Sequence, residues 1–274
     1  MAATGTDLLL VERDGPVVTW TLNRPEKRNA LSGPEWAGAF EEACRAAAAD
    51  ISVRAVILTG AGSAFCAGGD LKAMRDGIGI GAGNTAAEIR ETYRQGIQRI
   101  PVAIHDLEVP VIAAVNGPAI GAGTDLACMC DLRIAADTAR FAESFVKIGI
   151  IPGDGGAWLL PRIVGWSKAC EMALTGDAIS AAEALACGLV SQVVPGSELM
   201  AASRRLAERI AVNPPQAVRA TKRLLREGRL ANLPTLLQLS ATAQAIAHTT
   251  QEHREALARA LARPAGGDRR SGGG

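Results

Sequence analysis

The spacing of apolar residues changes several times along the chain, and each change predicts a boundary between a strand, a turn and a helix. Val111–Val115 is an unbroken β-branched run typical of a buried strand, Asn116-Gly117-Pro118 favours a turn, and Ala119–Met129 has helical spacing. A helix start carries free backbone N–H groups, and Gly121 and Ala122 leave room for a ligand to approach them. The stretch therefore predicts either an oxyanion-stabilising turn or ordinary packing of a helix on a sheet.

The N-terminal sixty residues predict a strand–helix–strand unit. A hairpin turn at Asp14-Gly15 joins the first two strands, and a helix capped by Ser32 leads to a buried strand. This order favours a parallel sheet covered by helices. The segments are two strands at Asp7–Arg13 and Val17–Asn23, a polar surface loop at Asn23–Ser32, a helix at Pro34–Asp50 and a strand at Val53–Thr59.

Beyond residue 74 the pattern is mainly helical. The predicted segments are a mobile glycine-rich stretch at Arg75–Asn84, a helix at Thr85–Glu108, strands at Leu132–Ala135 and Leu189–Val194, and helices at Trp166–Thr175, Ser180–Cys187, Glu198–Val212, Pro215–Arg229 and Leu233–Ala262. We expect a core domain over residues 1–195, a helical region over 196–264 and a disordered tail over 265–274. The helical region has a wide apolar face, so self-association is expected.

Composition narrows the classes of function. A formal net charge of +1 over 274 residues gives no reason to expect nucleic acid or a membrane as partner. The chain has neither signal-peptide features nor a convincing transmembrane segment, so we expect a soluble, cytoplasmic protein. Six cysteines without CxxC pairs and only three histidines predict free thiols and no metal site.

Three glycine-rich loops are the candidates for chemistry. They lie at Gly60–Met74, in the turn after Val111–Val115, and at Lys147–Arg162. Open α/β sheets bind ligands beyond the carboxyl ends of their strands, where such loops lie. Asp154 stands between two glycines in the third loop and fits either a helix N-cap or a site residue.

Five segments in one order resemble the enoyl-CoA hydratase/isomerase superfamily, also called the crotonase family. They are NRPEKRNALS, AFCAGGDL, VNGPAIGAGTDLACMCDLRIA, KIGIIPGDGGAWLLPR and ISAAEALACGLVSQVVP, within residues 8–260. The resemblance implies an α/β fold, a spiral of ββα units with a C-terminal helical trimerisation region. It further implies a homotrimer or dimer of trimers and an acyl-CoA thioester substrate, with no cofactor beyond the CoA of the substrate.

The resemblance also implies a binding site for the thioester. Its oxygen becomes negatively charged in an enolate-like intermediate, and two backbone N–H groups stabilise that charge. By motif position these donors are Gly69 and Ala122, where the family usually has glycine at the second position. The backbone of Ala67, Gly68, Asp70 and Leu71 would hold the adenine end of CoA, with Glu26 and Arg28 at the CoA entrance. Arg28 can meet a phosphate or remain solvated.

The acid/base residues are less uniform in this family. Hydratases use two glutamates, and the corresponding positions here hold Asp125 and Phe145; a phenyl ring cannot transfer a proton. Isomerases place an aspartate at the position of Gly153, so Asp154 is shifted by one residue. An apolar pocket containing Phe145 would raise the pKa of a carboxylate base. Glu143 is a third candidate, which also fits a glutamate at a helix start.

We therefore expect an enzyme that acts through an oxyanion-stabilised enolate. Isomerisation of an enoyl-CoA double bond is favoured over hydration, because one carboxylate can remove a proton and return it to another carbon. The alternatives are syn-hydration of a 2-enoyl-CoA and a non-catalytic acyl-CoA-binding relative, which Phe145 favours.

Overall fold

The computed structural model describes residues 4–262, so the predicted tail at 265–274 lies outside the described residues. Ten strands occur in this range: β1 Thr4–Gly5, β2 Leu9–Asp14, β3 Val17–Leu22, β4 Ala55–Gly60, β5 Val111–Val115, β6 Ala119–Ile120, β7 Leu132–Ala136, β8 Arg140–Ala142, β9 Ile179–Ser180 and β10 Gln192–Val194. The α-helices are α1 Glu35–Ala49, α2 Leu71–Arg75, α3 Ala86–Gln95, α4 Arg99–Asp106, α5 Ala122–Met129, α6 Gly156–Leu159, α7 Pro161–Val164, α8 Trp166–Thr175, α9 Ala181–Ala186, α10 Leu199–Ala211, α11 Pro215–Glu227, α12 Leu233–Thr249 and α13 Gln251–Ala262.

The strands form two sheets, and the chain passes back and forth between them. The large sheet has the order β1-β2-β3-β4-β5-β7-β10, antiparallel through β3 and parallel from β3 onward. The small sheet has the order β6-β8-β9, and Cys66 extends it by a bridge to Ala119. The chain therefore adds a strand to the large sheet and then a short segment to the small one, repeatedly. This is the spiral of the predicted α/β fold.

Successive side chains of the central strands point to opposite faces of the large sheet, and both faces are buried. This is why the strands are unbroken apolar runs in the sequence. Val56 and Leu58 face the main core, whereas Ala55 and Ile57 face a second core on the opposite side of the sheet. Since both faces are covered, no position in β4 needs a polar side chain. α10 covers the second face with Leu199, Ala202 and Ala207.

The chain divides into two compact units, residues 1–211 and 212–274. The sequence-based boundary at 195/196 differs from this division by one helix. α10 belongs to the first unit because its apolar residues pack on the sheet. The described part of the second unit contains α11, α12 and α13, and Asn232 caps α12 by accepting from the Thr235 N–H. Within residues 4–262, no helix is long and apolar enough to cross a membrane.

Three local predictions were wrong, each for an identifiable reason. The helix predicted at Thr85–Glu108 is two helices, because Pro101 is compatible only with the first turn of a helix and α4 begins at Arg99. The helix predicted at Leu233–Ala262 breaks at Thr250, which is extended and accepts from the His253 N–H at the start of α13. Ser32 does not cap α1; its hydroxyl donates to the Ala30 carbonyl.

The segment predicted as a surface loop at Asn23–Ser32 is buried at its centre. Asn29 is fully buried, and its amide donates to the carbonyls of Ala61 and Ala64, both at 2.9 Å. This side chain therefore fixes the loop that follows β4. The position of Asn29 has consequences for the site, because that loop carries Gly69.

Candidate active site

Two glycine turns meet at the carboxyl ends of the adjacent strands β4 and β5. The Ile120 N–H donates to the Cys66 carbonyl at 3.0 Å, which joins the two turns. Gly68 has a φ of 87°, and a Cβ there would lie 2.5 Å from the Ile120 carbonyl oxygen. That position therefore requires glycine, and the next residue, Gly69, follows directly beside the start of α5.

Ala122 is the first residue of α5, so its N–H has no partner within the helix. Gly121 before it has a φ of 53°, whereas Ala122 is not among the residues with positive φ. Alanine is thus accommodated where the family usually has glycine. Within residues 4–262, neither the Gly69 nor the Ala122 N–H is paired with a protein acceptor. Both predicted oxyanion donors are therefore available at this edge of the sheet.

Three carboxylates lie together beneath this edge. Asp125 is 0 % exposed, Glu143 is 1 % exposed and Asp154 is 3 % exposed. Asp125 is within hydrogen-bonding contact of the other two side chains. Among the described residues, no N–H or O–H group donates to the four carboxylate oxygens of Asp125 and Glu143. Since ionised carboxylates only accept, these contacts form only when the three groups share protons.

Burial and mutual repulsion shift the pKa values of this cluster upward. Burial raises the pKa of Asp125 well above its usual range, and Asp154 and Glu143 add repulsion. Burial likewise raises the pKa of Glu143 to about 7 and raises that of Asp154. For both of these, the hydrogen bond with Asp125 partly offsets the effect of burial. Burial therefore raises the pKa of all three groups, and contact with Asp125 couples the titrations of Glu143 and Asp154 to its own.

The fold positions the cluster through backbone contacts around Asp125. The Ala142 carbonyl accepts from the Gly121 N–H at 2.7 Å and from the Thr124 hydroxyl at 3.1 Å. These bonds fix the end of β8 against the first turn of α5, so that Glu143 lies under Asp125. A side chain at Gly156 would collide with the Asp125 carboxylate, and a glycine there makes room for it.

Asp154 and Glu143 each fitted either a helix start or a site residue in the sequence, and the structure shows where each of them lies. Gly155, with a φ of 112°, occupies the N-cap position of α6, and Asp154 caps nothing. Glu143 precedes a 3-10 turn at Ser144–Ile148 but makes no capping bond there. Asp154 therefore does not stand at the N-cap of α6, whereas Glu143 does stand at the start of the 3-10 turn but makes no capping bond. The one-residue shift of Asp154 does not turn its side chain away from Asp125.

An apolar cavity of about 840 Å³ adjoins the third glycine loop. Its lining residues are mostly apolar or lack a side chain, namely Met74, Ile80, Gly81, Ile89, Tyr93, Gly149, Ile150, Ile151 and Gly153, with Arg90, Arg94 and Gln98. Met74 also contacts Gly69, because a Cβ on Gly69 would collide with its methyl group. Burial, followed by the charge of Asp154, raises the pKa of Tyr93. Two residues of the cavity wall therefore connect it to the predicted site: Met74 lies against Gly69, and Tyr93 is close enough to Asp154 to feel its charge.

The ring of Phe145, a residue of the 3-10 turn at Ser144–Ile148, packs beside the start of α5. Its ring carbons would be 3.5 Å from a Cβ on Gly121, next to the Ala122 N–H. The ring therefore occupies space beside one predicted oxyanion donor. It supplies apolar surface where a hydratase of the family has a carboxylate.

The predicted CoA-binding residues come from two backbone segments that are hydrogen-bonded to each other. The Ala67 N–H donates to the Arg28 carbonyl at 2.9 Å, and the Leu31 N–H donates to the Gly68 carbonyl at 2.8 Å. Lys27 and Asp70 form an ion pair at 3.0 Å across the same gap.

The predicted CoA-binding residues in the segments 26–31 and 67–71 are not all equally exposed. Glu26, Arg28 and Leu71 are exposed, and Arg28 has a φ of 50°. Ala67 and Asp70 are partly exposed and Gly68 is buried, so the structure brings the predicted CoA residues together with only some of them at the surface.

Sequence reasoning underrated Glu143 and missed the cavity residues around Tyr93. Glu143 follows a short strand whose pairing with β6 no local pattern reveals. Tyr93 falls within the helix predicted at Thr85–Glu108, and its spacing of four residues from Ile89 could have indicated a shared apolar face. In residues 4–262, no group of three or more His, Cys, Asp or Glu side chains is arranged to hold a metal ion.

Comparison with known proteins agrees with this geometry. Residues 12–262 match the enoyl-CoA hydratase/isomerase family. The short-chain-enoyl-CoA hydratase of Clostridium acetobutylicum is 36% identical over 250 residues, which are 91% of this chain and 92% of that protein. The 1,2-epoxyphenylacetyl-CoA isomerase of Escherichia coli is 34% identical over 257 residues, covering 94% and 96% of the two chains.

Solved structures give the same answer for the fold. An enoyl-CoA hydratase of Mycobacterium smegmatis superimposes with a TM-score of 0.84 at 36% identity, covering 93% of this chain and 96% of the other. The fold predicted from the sequence is thereby confirmed. With a family match over most of the chain and relatives above 30% identity along nearly their whole length, the chain belongs to the enoyl-CoA hydratase/isomerase family.

Proposed function

We propose that this protein isomerises the double bond of an enoyl-CoA thioester through an oxyanion-stabilised enolate. The observation that carries the proposal is the proton-sharing carboxylate cluster beside the Gly69 and Ala122 amides. Phe145 strengthens it, because a hydratase of the family would have its second carboxylate at that position.

The reaction is a 1,3-proton shift with no net addition of water. Asp154 removes a proton from one carbon of the substrate, and the electron pair of the broken C–H bond moves into the conjugated system. The resulting negative charge on the thioester oxygen is stabilised by the N–H groups of Gly69 and Ala122. Asp154 then returns the proton to the carbon two bonds away, so the double bond has moved and the carboxylate is regenerated.

The environment of Asp154 suits this role. Burial raises its pKa, so its carboxylate is a stronger base than an exposed aspartate. In this proposal Asp125, which is fully buried and contacts both other carboxyl groups, stays uncharged and donates to Asp154. Each oxyanion donor is worth about 2.7–4 kcal/mol in a water-excluded site. Together these groups supply a base in Asp154, a hydrogen-bond donor to it in Asp125, and charge stabilisation by the two backbone N–H groups.

The substrate would enter along the exposed segments around Arg28 and Asp70. Their backbones would hold CoA, and the acyl chain would extend into the cavity lined by Ile80, Ile89 and Ile150. The volume and apolar lining favour an apolar acyl group over a strongly charged one.

Hydration of a 2-enoyl-CoA is the second candidate, and one observation favours it. Glu143 lies beside Asp125, so the site has a second carboxylate despite Phe145. Two carboxylates can position and activate a water for addition across a double bond. Relatives named as hydratases fit this candidate as well.

We further propose a homotrimer or dimer of trimers. Exposed apolar side chains on α12, including Leu233, Leu237 and Ile246, support self-association. Light scattering on the purified protein tests this, and a monomeric mass would contradict it.

The test of function compares two substrates. A 3-enoyl-CoA should gain the absorbance of a conjugated thioester, and a 2-enoyl-CoA should lose it slowly and only to the isomer equilibrium. Rapid, water-dependent loss of conjugation in the 2-enoyl substrate would choose hydration instead. Acyl-CoA binding by calorimetry with turnover of neither substrate would identify a non-catalytic relative.

The carboxylate assignment needs its own variant. Asp154→Asn should lower isomerase kcat by about 10²–10⁴-fold, the usual contribution of a positioned acid/base group. Asp137→Asn is the matched control, since Asp137 is exposed in the turn after β7. Equal activity of both variants would show that Asp154 is not the base.

A further inference from the structure

Glu143 has a position that the proposed isomerisation does not yet use. Its side chain is 1 % exposed, and both oxygens lack an N–H or O–H donor among the described residues. It contacts Asp125 but follows β8, on a different part of the chain from both Asp125 and Asp154. A buried carboxylate without a donor is costly unless it shares a proton with a neighbour.

The backbone around Glu143 is held rigidly against α5. Thr124 donates its hydroxyl to the Ala142 carbonyl and accepts from the Ala142 N–H at 3.2 Å. The Gly121 N–H bonds to the same carbonyl. Residues at both ends of the oxyanion turn therefore fix the distance between Glu143 and Asp125.

The charges around Glu143 are all acidic or weakly acidic groups. Asp125 and the Cys128 thiol face it from α5, and Asp154 faces it from the loop before α6. Arg133 on β7 acts on Cys128, and its guanidinium donates to the carbonyls of Leu189 and Cys130. Among the described residues, Glu143 forms no ion pair. Only a shared proton can therefore stabilise it.

We infer that Glu143 is a positioning residue that shares a proton with Asp125 and so keeps Asp125 an uncharged donor to the base Asp154. This inference rests on the proposed function, in which Asp154 moves the substrate proton. Glu143 itself does not touch the substrate. Its effect is to set the pH range in which Asp125 retains its proton.

The expected direction follows from the charges. As pH rises, Glu143 ionises and its negative charge makes ionisation of Asp125 harder. A glutamine at position 143 removes that charge and can donate to an ionised Asp125. Asp125 then loses its proton at a lower pH.

The first experiment is the pH profile of isomerase kcat/KM in Glu143→Gln. We expect the alkaline limb to move down by about 1 pH unit or more, the size of shift that a near like charge produces. Glu143→Asp keeps a titratable group and should return the limb toward the wild-type position. Glu42→Gln, at an exposed position on α1, is the matched control and should leave the profile unchanged.

The second experiment needs no substrate. The infrared C=O band of protonated carboxyl groups is titrated in the folded wild-type protein and in Glu143→Gln, after circular dichroism has shown that both are folded. We expect the pH midpoint for loss of the band to be lower in the variant, in the same direction as the activity limb. An unchanged midpoint and an unchanged limb would overturn the inference and leave Glu143 a structural residue.

The two experiments separate the inference from the proposed function. A lower infrared midpoint in a protein that isomerises no enoyl-CoA would support proton sharing and reject the isomerase proposal. Isomerase activity with no change in the infrared midpoint or in the alkaline limb would support the isomerase proposal and reject proton sharing by Glu143.

Discussion

The turns after β4 and β5 are alike in topology, yet they place an aspartate in opposite environments. Asp70 accepts from the backbone N–H groups of Lys72 and Ala73 and from the Lys27 ammonium at 3.0 Å. The hydrogen bond from Lys27 and the backbone donors lower the pKa of Asp70. Asp125 is 0 % exposed, receives no N–H donor and has a pKa raised by burial and by two carboxylates.

The difference shows how one residue type serves two purposes at neighbouring strand ends. Asp70 begins a helix and stays ionised, which stabilises the loop that presents Gly69. Asp125 has a raised pKa, and in the proposed function it is part of the acid/base system. Donors close to a carboxylate therefore indicate a structural role, and their absence in a buried cluster indicates a functional one.

The largest effect should come from Asp125→Asn. The amide keeps the shape of the side chain and can donate to Asp154, but it has no proton to share in a titration. We expect isomerase kcat to fall about 10²–10⁴-fold, because the amide cannot exchange a proton with the neighbouring carboxyl groups during the proton shift. The melting temperature should stay close to the wild-type value, because one uncharged side chain replaces another. Steady-state kinetics and thermal melting measure the two changes. Full activity in a folded Asp125→Asn protein would remove Asp125 from the acid/base system.

Ala122→Pro should have the next largest effect. Proline is favoured at the first position of a helix, and Gly121 before it tolerates the restriction that proline imposes, so α5 should persist. The substitution removes only the N–H that we assign to the oxyanion. We expect kcat to fall about 10²–10³-fold with a smaller change in acyl-CoA affinity.

Ala122→Gly is the control for that variant. Glycine keeps the N–H and is the usual residue of the family at this position, so activity should be retained. If the proline variant kept wild-type kcat with circular dichroism unchanged, the second oxyanion donor would have to be another group.

The raised pKa of Glu143 predicts a pH dependence of stability. Its pKa is about 7 in the folded protein and 4.5 in the unfolded chain. A carboxyl group with a raised folded pKa binds more protons in the folded state, so its contribution is fully present below pH 4.5. That contribution is lost as pH rises through 7, a decrease of about 3 kcal/mol in the free energy of unfolding.

Urea unfolding at several pH values tests this prediction. Over the window from 4.5 to 7, the wild type should lose more stability than Glu143→Gln, which cannot ionise at that position. Parallel curves for the two proteins would show that Glu143 is ionised in the folded state at low pH. Carboxylates such as Asp50 and Asp70 have lowered pKa values, so their stabilising effect is lost only at more acidic pH.

Much of the fold was predictable because its signals are local. The hairpin at Asp14-Gly15, the unbroken apolar run of β4 and the capping box that begins α9 at Ser180 all lie within a few residues of the structure they specify. The break at Thr250 and the burial of Asn29 were not predictable in this way. Asn29 is buried because of carbonyls more than thirty residues away.

The residues of the candidate site also fall into those with local sequence signals and those without them. The loops of Gly69, Ala122 and Asp154 could be located from glycine patterns and family resemblance, although the roles of these residues stay predictions. The grouping of Glu143 with Asp125 depends on the parallel pairing of β6 with β8, which the sequence between them does not encode locally. A polar residue buried by tertiary packing is therefore the part of the site that sequence reasoning finds last.

The smallest expected effect comes from substitution of Asp70, the ionised aspartate in the turn after β4. Asp70→Ala removes the N-cap of α2 and should lower the free energy of unfolding by about 1 kcal/mol, whereas Asp70→Asn keeps a capping side chain and should cost less. Isomerase kcat should fall less in either variant than in Ala122→Pro, because the Gly69 N–H itself is untouched. A loss of kcat as large as that of Asp125→Asn, with stability unchanged, would mean that the Asp70 carboxylate takes part in the chemistry, and the contrast between the two turns would no longer hold.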